Sequence, residues 1–398
     1  MEQQLSDRIL NMAESATLAM AAKAREFKAK GIDVISLSLG EPDFKTPKHI
    51  QEGAKAAIDS EKYFAYPPVN GYQDLREAIS EKFKKENGLN YTPDQIVVSN
   101  GAKQSLANVF LSIVNPGDEV IVLSPYWVTY TALVELAEGT PVIVSGGIEN
   151  DFKATAEQIK AAITPKTKAM IFSSPCNPTG SVFTKEELIT IAEVLKPHNI
   201  LVISDEIYEH INFSGRHFSI GAVDGMQDLT ITVNGMAKGF AMTGWRVGYI
   251  GAPTWIAKAC NKIQGQLTSA NCSIAQRATY TALTTDLGPT IAMTEEYGRR
   301  RKLVYDMLSE IPGFKVNMPE GAFYFFPDIS SFFGKSYQGT TIKDSADFCL
   351  YILANAHVSL VSGEAFGDPN CLRLSYAASQ EDLKNAIARI KEWSAKLA

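Results

Sequence analysis

The chain has little cysteine. There are five among 398 residues (Cys176, Cys260, Cys272, Cys349 and Cys371), and no two form a Cys-x-x-Cys pair. An odd, scattered set argues against a disulfide framework and a thiolate zinc site, and fits a reducing compartment. Long apolar runs are missing, so no segment reads as a membrane span. Positive charge is not in excess: 38 Lys and Arg stand against 44 Asp and Glu, a formal net charge of −6. That balance leaves no electrostatic footprint for nucleic acid or an anionic lipid surface. The first residues, Met1-Glu-Gln-Gln-Leu-Ser-Asp-Arg8, lack the basic-then-apolar layout of a secretory signal. Together these features predict a cytoplasmic protein. There is no internal repeat and no low-complexity linker. What remains is an ordinary globular composition, 45% hydrophobic and 21% charged, in a chain long enough for two domains with their own cores.

Residues 5–30 read as an alanine-rich helix, and 35–39 alternates like a short strand. Gly40-Glu-Pro-Asp-Phe44 breaks that strand, and Thr46-Pro47 predicts a helix with proline in its first turn. A periodic helix over 75–85 is stopped by Asn87-Gly88. From 95 onward, short apolar runs at 96–98, 120–123, 141–144, 169–172, 201–203, 229–233 and 247–250 alternate mostly with amphipathic stretches. This rhythm predicts an α/β fold with a mainly parallel sheet and helices on both faces. Ligands of such sheets gather beyond the carboxyl ends of the strands. After 290 the pattern changes to a long charged helix, Gly321-Ala-Phe-Tyr-Phe-Phe326, a helix near 344–356, Leu372-Arg-Leu-Ser375 and a last helix from about 380. These predict a smaller α/β domain.

The residues at the strand ends form a chemical set. Lys238 lies in Asn234-Gly-Met-Ala-Lys-Gly-Phe-Ala-Met-Thr-Gly-Trp-Arg246, and Asp205 ends the apolar run before Glu206-Ile-Tyr208. Amine, acid and guanidinium suit pyridoxal 5′-phosphate (PLP), which needs an amine for its aldehyde, a carboxylate for its ring nitrogen and a cation for its phosphate. Lys238 can form a Schiff base and then act as a base, or be a solvated lysine. Asp205 can pair with a pyridinium nitrogen, or cap a helix. Tyr208, one helical turn on, can reach the cofactor's 3-hydroxyl, or be a plain aromatic. Arg246 offers a two-point clamp for phosphate. Asn100-Gly101-Ala102-Lys103 sits where a strand yields to a helix whose N-terminus can face an anion; its glycine can also be a simple turn. Trp127, in Ser-Pro-Tyr-Trp, can supply a flat face or pack in the core. Asn177, before Pro-Thr-Gly180, can donate to the 3-hydroxyl or shape a turn. Arg373 can bind a substrate α-carboxylate in two-point fashion, or be an exposed strand arginine.

On these motifs, together with Gly71-Tyr-Gln-Asp-Leu-Arg76 and Gly321-Ala-Phe-Tyr324, the chain resembles the fold-type I PLP enzymes over essentially its whole length. Within them it is similar to the class I aminotransferases, and most to the bacterial aspartate aminotransferases of the aspartate/prephenate subgroup. The resemblance implies three regions: 1–47, an N-terminal segment with part of the small domain; 48–290, the large PLP-binding domain; and 291–398, the small C-terminal domain. It implies that Lys238 carries the internal aldimine and shuttles a proton, that Asp205 pairs with the ring nitrogen, and that Tyr208 and Asn177 bond the 3-oxygen. Trp127 would stack on the ring, Gly101, Ala102 and Arg246 would hold the phosphate, and Lys103 would also border the cofactor. Tyr66 would reach the partner subunit's phosphate, which implies a homodimer with shared active sites. Gly40 and Arg373 would take the α-carboxylate. Many relatives have serines where this chain has Gly235 and Ala237, and close relatives often have proline where it has Asn271.

By the same resemblance Lys103 would meet the distal carboxylate of a dicarboxylic substrate, and Thr17 marks a position associated with prephenate. The expected reaction is aspartate:2-oxoglutarate amino transfer by a ping-pong route, between small-molecule amino acids and 2-oxo acids. The alternatives are a prephenate, aromatic or alanine aminotransferase on the same scaffold, a PLP lyase or decarboxylase, and a non-catalytic PLP-sensing regulator. Such regulators usually carry a DNA-binding domain ahead of this fold, and here only about forty residues precede Gly40.

Overall fold

A computed structural model describes residues 5–10, 12 and 16–398. Where the alanine pattern predicts one helix, the described residues form α1 (Asp7–Leu10) and α2 (Ala16–Ala29). The alternating segment at 35–39 gives a strand of only two residues, β1 (Ile35–Ser36), paired in parallel with Val358–Ser359. The ladder stops there because the next carbonyls have other partners. Leu37 O accepts from Ser375 N, Ser38 O from the Arg373 guanidinium and Gly40 O from Lys238 Nζ. Helix α3 (Lys48–Asp59) starts after Pro47, which stands at the N-cap position and not inside the first turn. Helix α4 (Gln73–Lys82) runs on into a wider π-turn, Phe83–Asn87, closed by Gly88 at φ 73°. The stop signal lies where the sequence places it, but the last turn is not α. Lys82 and Asn87 at its two ends both bind the buried Glu209 carboxylate.

The seven apolar runs become β2 (Ile96–Ser99), β3 (Glu119–Ser124), β4 (Thr140–Ser145), β5 (Thr167–Ser173), β6 (Leu201–Asp205), β7 (Thr230–Gly235) and β8 (Gly248–Gly251). They form one sheet in the order β2-β8-β7-β6-β5-β3-β4. Its pairings are parallel except those of β8, which is antiparallel to β7 and to β2. No α-helix lies between β7 and β8 to carry the chain back across the sheet, so the two strands meet head to tail. Side chains alternate between two cores. Ile171, Ile203 and Val233 pack with α5 (Ala102–Ile113), α6 (Thr129–Leu136) and α9 (Thr254–Leu267). Met170, Phe172 and Val202 pack on the other face, with α7 (Ala156–Ala161) and α8 (Lys185–Leu195). A sheet buried on both faces explains why its strands read as continuous apolar runs.

Helix α10 (Ser273–Thr284) packs against α3 and α4. The long α11 (Gly288–Ser309) then leads into a further core, where Tyr297, Val304 and Leu308 meet Phe323, Tyr324 and Phe348. That core holds β9 (Tyr324–Phe325), α12 (Ser345–Ala356), Val361–Ser362, Leu372–Ser375 and the last helix, Gln380–Ser394. Strand Leu372–Ser375 is the centre of a three-stranded antiparallel sheet. Among the described residues, no helix is long and apolar enough to cross a membrane.

Candidate active site

The carboxyl ends of β2, β5, β6 and β7 open on a cavity of about 280 Å³. Thr17, Gly40, Gly101, Ala102, Lys103, Trp127, Asn177, Asp205, Tyr208, Lys238, Arg246 and Arg373 all line it. Tyr66 does not; it is 95% exposed on the surface of the subunit.

One end of the cavity is built for an anion. Gly101 holds φ 85° at the N-cap of α5, so the amides of Ala102 and Lys103 begin a helix and have no intrahelical acceptor. The Arg246 guanidinium comes in over this turn, where a Cβ on Gly101 would meet Nη2 at 2.5 Å. Arg246 is itself left-handed, at φ 57°, and its Nη1 donates to Thr243 O at 2.9 Å. The β2–β8 pairing brings the two parts together, since Ser99 sits opposite Gly248. A Cβ on Gly248 would run into the backbone of Gly101 and Ala102. Backbone amides, a helix start and a guanidinium are a donor set that fits a phosphate.

The floor carries the acid and the amine. Asp205 is buried; Tyr130 OH donates to its Oδ2 at 2.7 Å and Ile207 N to its Oδ1 at 3.2 Å. Burial pushes its carboxyl up to about 6, against the pull of those donors. No helix starts there, so the helix-cap reading falls away. Lys238 opens partly to the cavity but is ringed by protein, which pushes its amine down to about 8, helped by the Arg373 charge. Its Nζ donates to Gly40 O. An amine near 8 is free base for about a tenth of the time at pH 7, far more than an ordinary lysine, and the free base is the state that attacks a carbonyl. Tyr208 OH shares a 2.7 Å hydrogen bond with Tyr324 OH, and burial raises both phenols, so both keep their protons.

The far wall carries Arg373, only 2% exposed. Its Nη1 donates to Asn177 Oδ1 at 2.9 Å and its Nη2 to Ser38 O at 2.6 Å, while Nε is buried without a partner among the described residues. The rings of Tyr324 and Phe366 lie 4.6 and 4.7 Å from its guanidinium carbon. The exposed-strand reading is thus excluded. Lys103 Nζ lies 5.0 Å from the Trp127 ring centre, and burial and Arg246 lower its pKa. Among the described residues, neither Arg373 nor Lys103 has a carboxylate partner.

A family model for aminotransferase class I and II matches residues 32–390. The chain belongs to this family. Its members depend on PLP, so the PLP-dependent aminotransferase expected from the sequence holds, as does the fold. The chain is 46% identical to an aspartate/prephenate aminotransferase of Cereibacter sphaeroides, over 99% of either chain. It is 46% identical to the bifunctional aspartate aminotransferase and glutamate/aspartate-prephenate aminotransferase of Petunia hybrida, over 98% of this chain and 82% of that one. Among solved structures, the aspartate aminotransferase of Rhizobium meliloti superposes with a TM-score of 0.96 at 40% identity, covering 99% of this chain and 100% of that one. The Thermus thermophilus enzyme, solved with maleate, gives 0.92 at 43% identity, covering 98% and 99%.

As an aminotransferase, the chain shows what sequence reasoning missed. Tyr130 has no role in that reading, yet it holds the buried Asp205 carboxylate; its signal is its place one helical turn after Trp127. Tyr324 lies within a quoted motif but without a role, and it links Tyr208 to Arg373. A side chain at Gly235 would press on Val247 O at 2.8 Å and Gly248 Cα at 2.9 Å.

Proposed function

We propose that the enzyme moves the amino group of aspartate to 2-oxoglutarate in two half-reactions at this one site. The observation that carries the reading is the pair of cations, Arg373 and Lys103, on one cavity without acidic partners among the described residues. A buried guanidinium lacking an anion is costly, and a substrate α-carboxylate fits its fork. Lys103 then takes the second carboxylate, a feature of aspartate and glutamate but not of alanine. The Thermus relative was solved with maleate, itself a dicarboxylate.

The donor set fits PLP, which when bound supplies a carbonyl and a ring that withdraws electrons from the substrate α-carbon. Gly101, Ala102 and Arg246 would hold its phosphate. The Asp205 carboxylate would keep the ring nitrogen protonated, and Tyr130 keeps that carboxylate in place. Asn177, its oxygen engaged by Arg373, has its amide nitrogen left for the 3-oxygen, beside Tyr208 OH. Trp127 would cover the ring face, and Gly40 with Arg373 would orient the substrate. Lys238 Nζ would accept the α-proton and give it up again. The high exposure of Tyr66 supports its reaching a second subunit in a homodimer. The two sets of cores joined by α11 support a division into 1–47, 48–290 and 291–398. Five free cysteines support a cytoplasmic setting.

Half-reactions with single amino acids, followed by the absorbance of the bound cofactor, test substrate choice. Lys103→Ala should lower kcat/KM for aspartate and glutamate by about 10- to 100-fold, the worth of a hydrogen-bonded charge, and leave alanine within about 3-fold. Equal losses on both would contradict the assignment. Thr17, on the same cavity wall, supports prephenate as a further amino acceptor, to be tested with the aminated enzyme.

Asp205 gives a test without substrate. Its carboxyl sits near 6 in the folded protein and near 3.8 when free. The folded state therefore holds the proton more tightly, and stability falls as pH rises through about 4–6. At neutral pH the penalty is about 3 kcal/mol in the cofactor-free protein. The melting temperature of Asp205→Asn relative to wild type should therefore rise between pH 4 and pH 7.5. A constant difference would show that Asp205 carries no such penalty.

A further inference from the structure

We propose that Asn271 is a positioning residue for the phosphate, clamping the two halves of its cradle together; this rests on the PLP reading above. Asn271 is 1% exposed. Its Nδ2 faces three acceptors: Arg246 O at 2.7 Å, Asn100 Oδ1 at 3.0 Å and Ser99 O at 3.3 Å. Two of these are main-chain carbonyls, which can only accept, so the amide must present its nitrogen to them. Its Oδ1 is left buried with no donor among the described residues. The side chain therefore serves here as a donor, at the expense of its own acceptor.

The place it occupies explains why a clamp matters. The β2–β8 ladder ends at the pair Ser99 and Gly248. Beyond that rung the strands part, and each carries one half of the cradle: Gly101 and Ala102 on one side, Arg246 on the other. Arg246 is poorly held otherwise. It is exposed and left-handed, Nη1 has one good bond to Thr243 O, and Nη2 reaches Asn100 O only at 3.5 Å. Asn271 supplies a further cross-link where main-chain pairing gives out. It is fixed in turn by Gln276, whose Nε2 donates to Asn271 O at 2.9 Å and whose Oε1 accepts from Tyr72 N at 2.9 Å. With Gly235 and Ala237 in place of serines, the cradle has no hydroxyl from the lysine loop at those two positions. More of the hold on the phosphate then falls to Arg246 and the 101–102 turn, and their spacing becomes critical.

The test compares two ligands on the cofactor-free protein. PLP and pyridoxal share the ring and aldehyde, but pyridoxal lacks the phosphate. For Asn271→Ala, the dissociation constant of PLP, read by the absorbance of the bound cofactor, should rise about 10-fold, the loss of one to two hydrogen bonds. That of pyridoxal should stay within about 2-fold, since no interaction with it is removed. Asn271→Asp has the same shape but turns an oxygen toward three acceptors, and should weaken PLP more than alanine does. It decides the matter if the alanine variant does not fold. Equal weakening of both ligands would assign Asn271 a merely structural role, and unchanged PLP binding would remove the clamp; either overturns the proposal. Failure of the wild-type protein to bind PLP would instead overturn the cofactor reading, and the proposal with it.

Discussion

Lys238→Ala should lower turnover by at least about 10⁴-fold, the upper range for loss of a positioned acid–base group, with the covalent hold on the cofactor lost as well. The variant should still bind PLP, because Asp205 and the groups proposed for the phosphate lie outside Lys238, but the cofactor should wash out on dialysis, whereas wild type retains it. Activity at the normal rate would remove Lys238 from the mechanism. A second signature comes from the amine held near 8. The unfolded lysine binds its proton up to about 10.5 and the folded one does not. In the cofactor-free protein this group therefore costs stability below pH 8, and the cost fades as pH rises from about 8 to 10.5. Any gain in melting temperature from the alanine substitution should be largest below pH 8.

Arg373→Ala should raise KM for every amino acid, by about 30- to 5,000-fold, the range for truncating one partner of a buried charge pair. This separates it from Lys103, whose loss should matter only for dicarboxylates. Arg373→Lys should not restore binding. An ammonium is a point charge without the planar fork, and it cannot serve Asn177 Oδ1, Ser38 O and a carboxylate together in the same geometry. Steady-state kinetics with aspartate and alanine, on both variants, checks this. A loss confined to aspartate would exchange the roles given to the two cations.

The large sheet was legible because its strands are buried on both faces, and such strands show up as apolar runs without any knowledge of their neighbours. The strand ends were legible for the same reason, and with them Asp205, Lys238 and the turn at Gly101. Features set by distant partners were not. The length of β1 depends on which groups take the carbonyls of Leu37, Ser38 and Gly40, and those partners lie near 238 and 373–375. The π-turn after α4 meets Glu209, more than a hundred residues away in sequence. Tyr130 looks like any aromatic in an apolar helix until β6 is set beside it. The pairing of Asn177 with Arg373 spans 196 positions, and no local pattern announces it. Asn271 stood out only as an unusual residue for the family; its use as a donor needed the end of the β2–β8 ladder.

The short stretch after β1 lends one carbonyl to Lys238, 198 residues later, and another to Arg373, 335 residues later. Translation runs at about 5–20 residues per second, so on a ribosome this stretch waits roughly 10–40 s for the first partner and 17–67 s for the second. A nascent chain that has passed Asn271 but not reached residue 373 contains every group proposed for the phosphate and the ring. It would lack Arg373, the cation proposed for the α-carboxylate. The groups proposed for the coenzyme are therefore all synthesised before the cation proposed to select the amino acid.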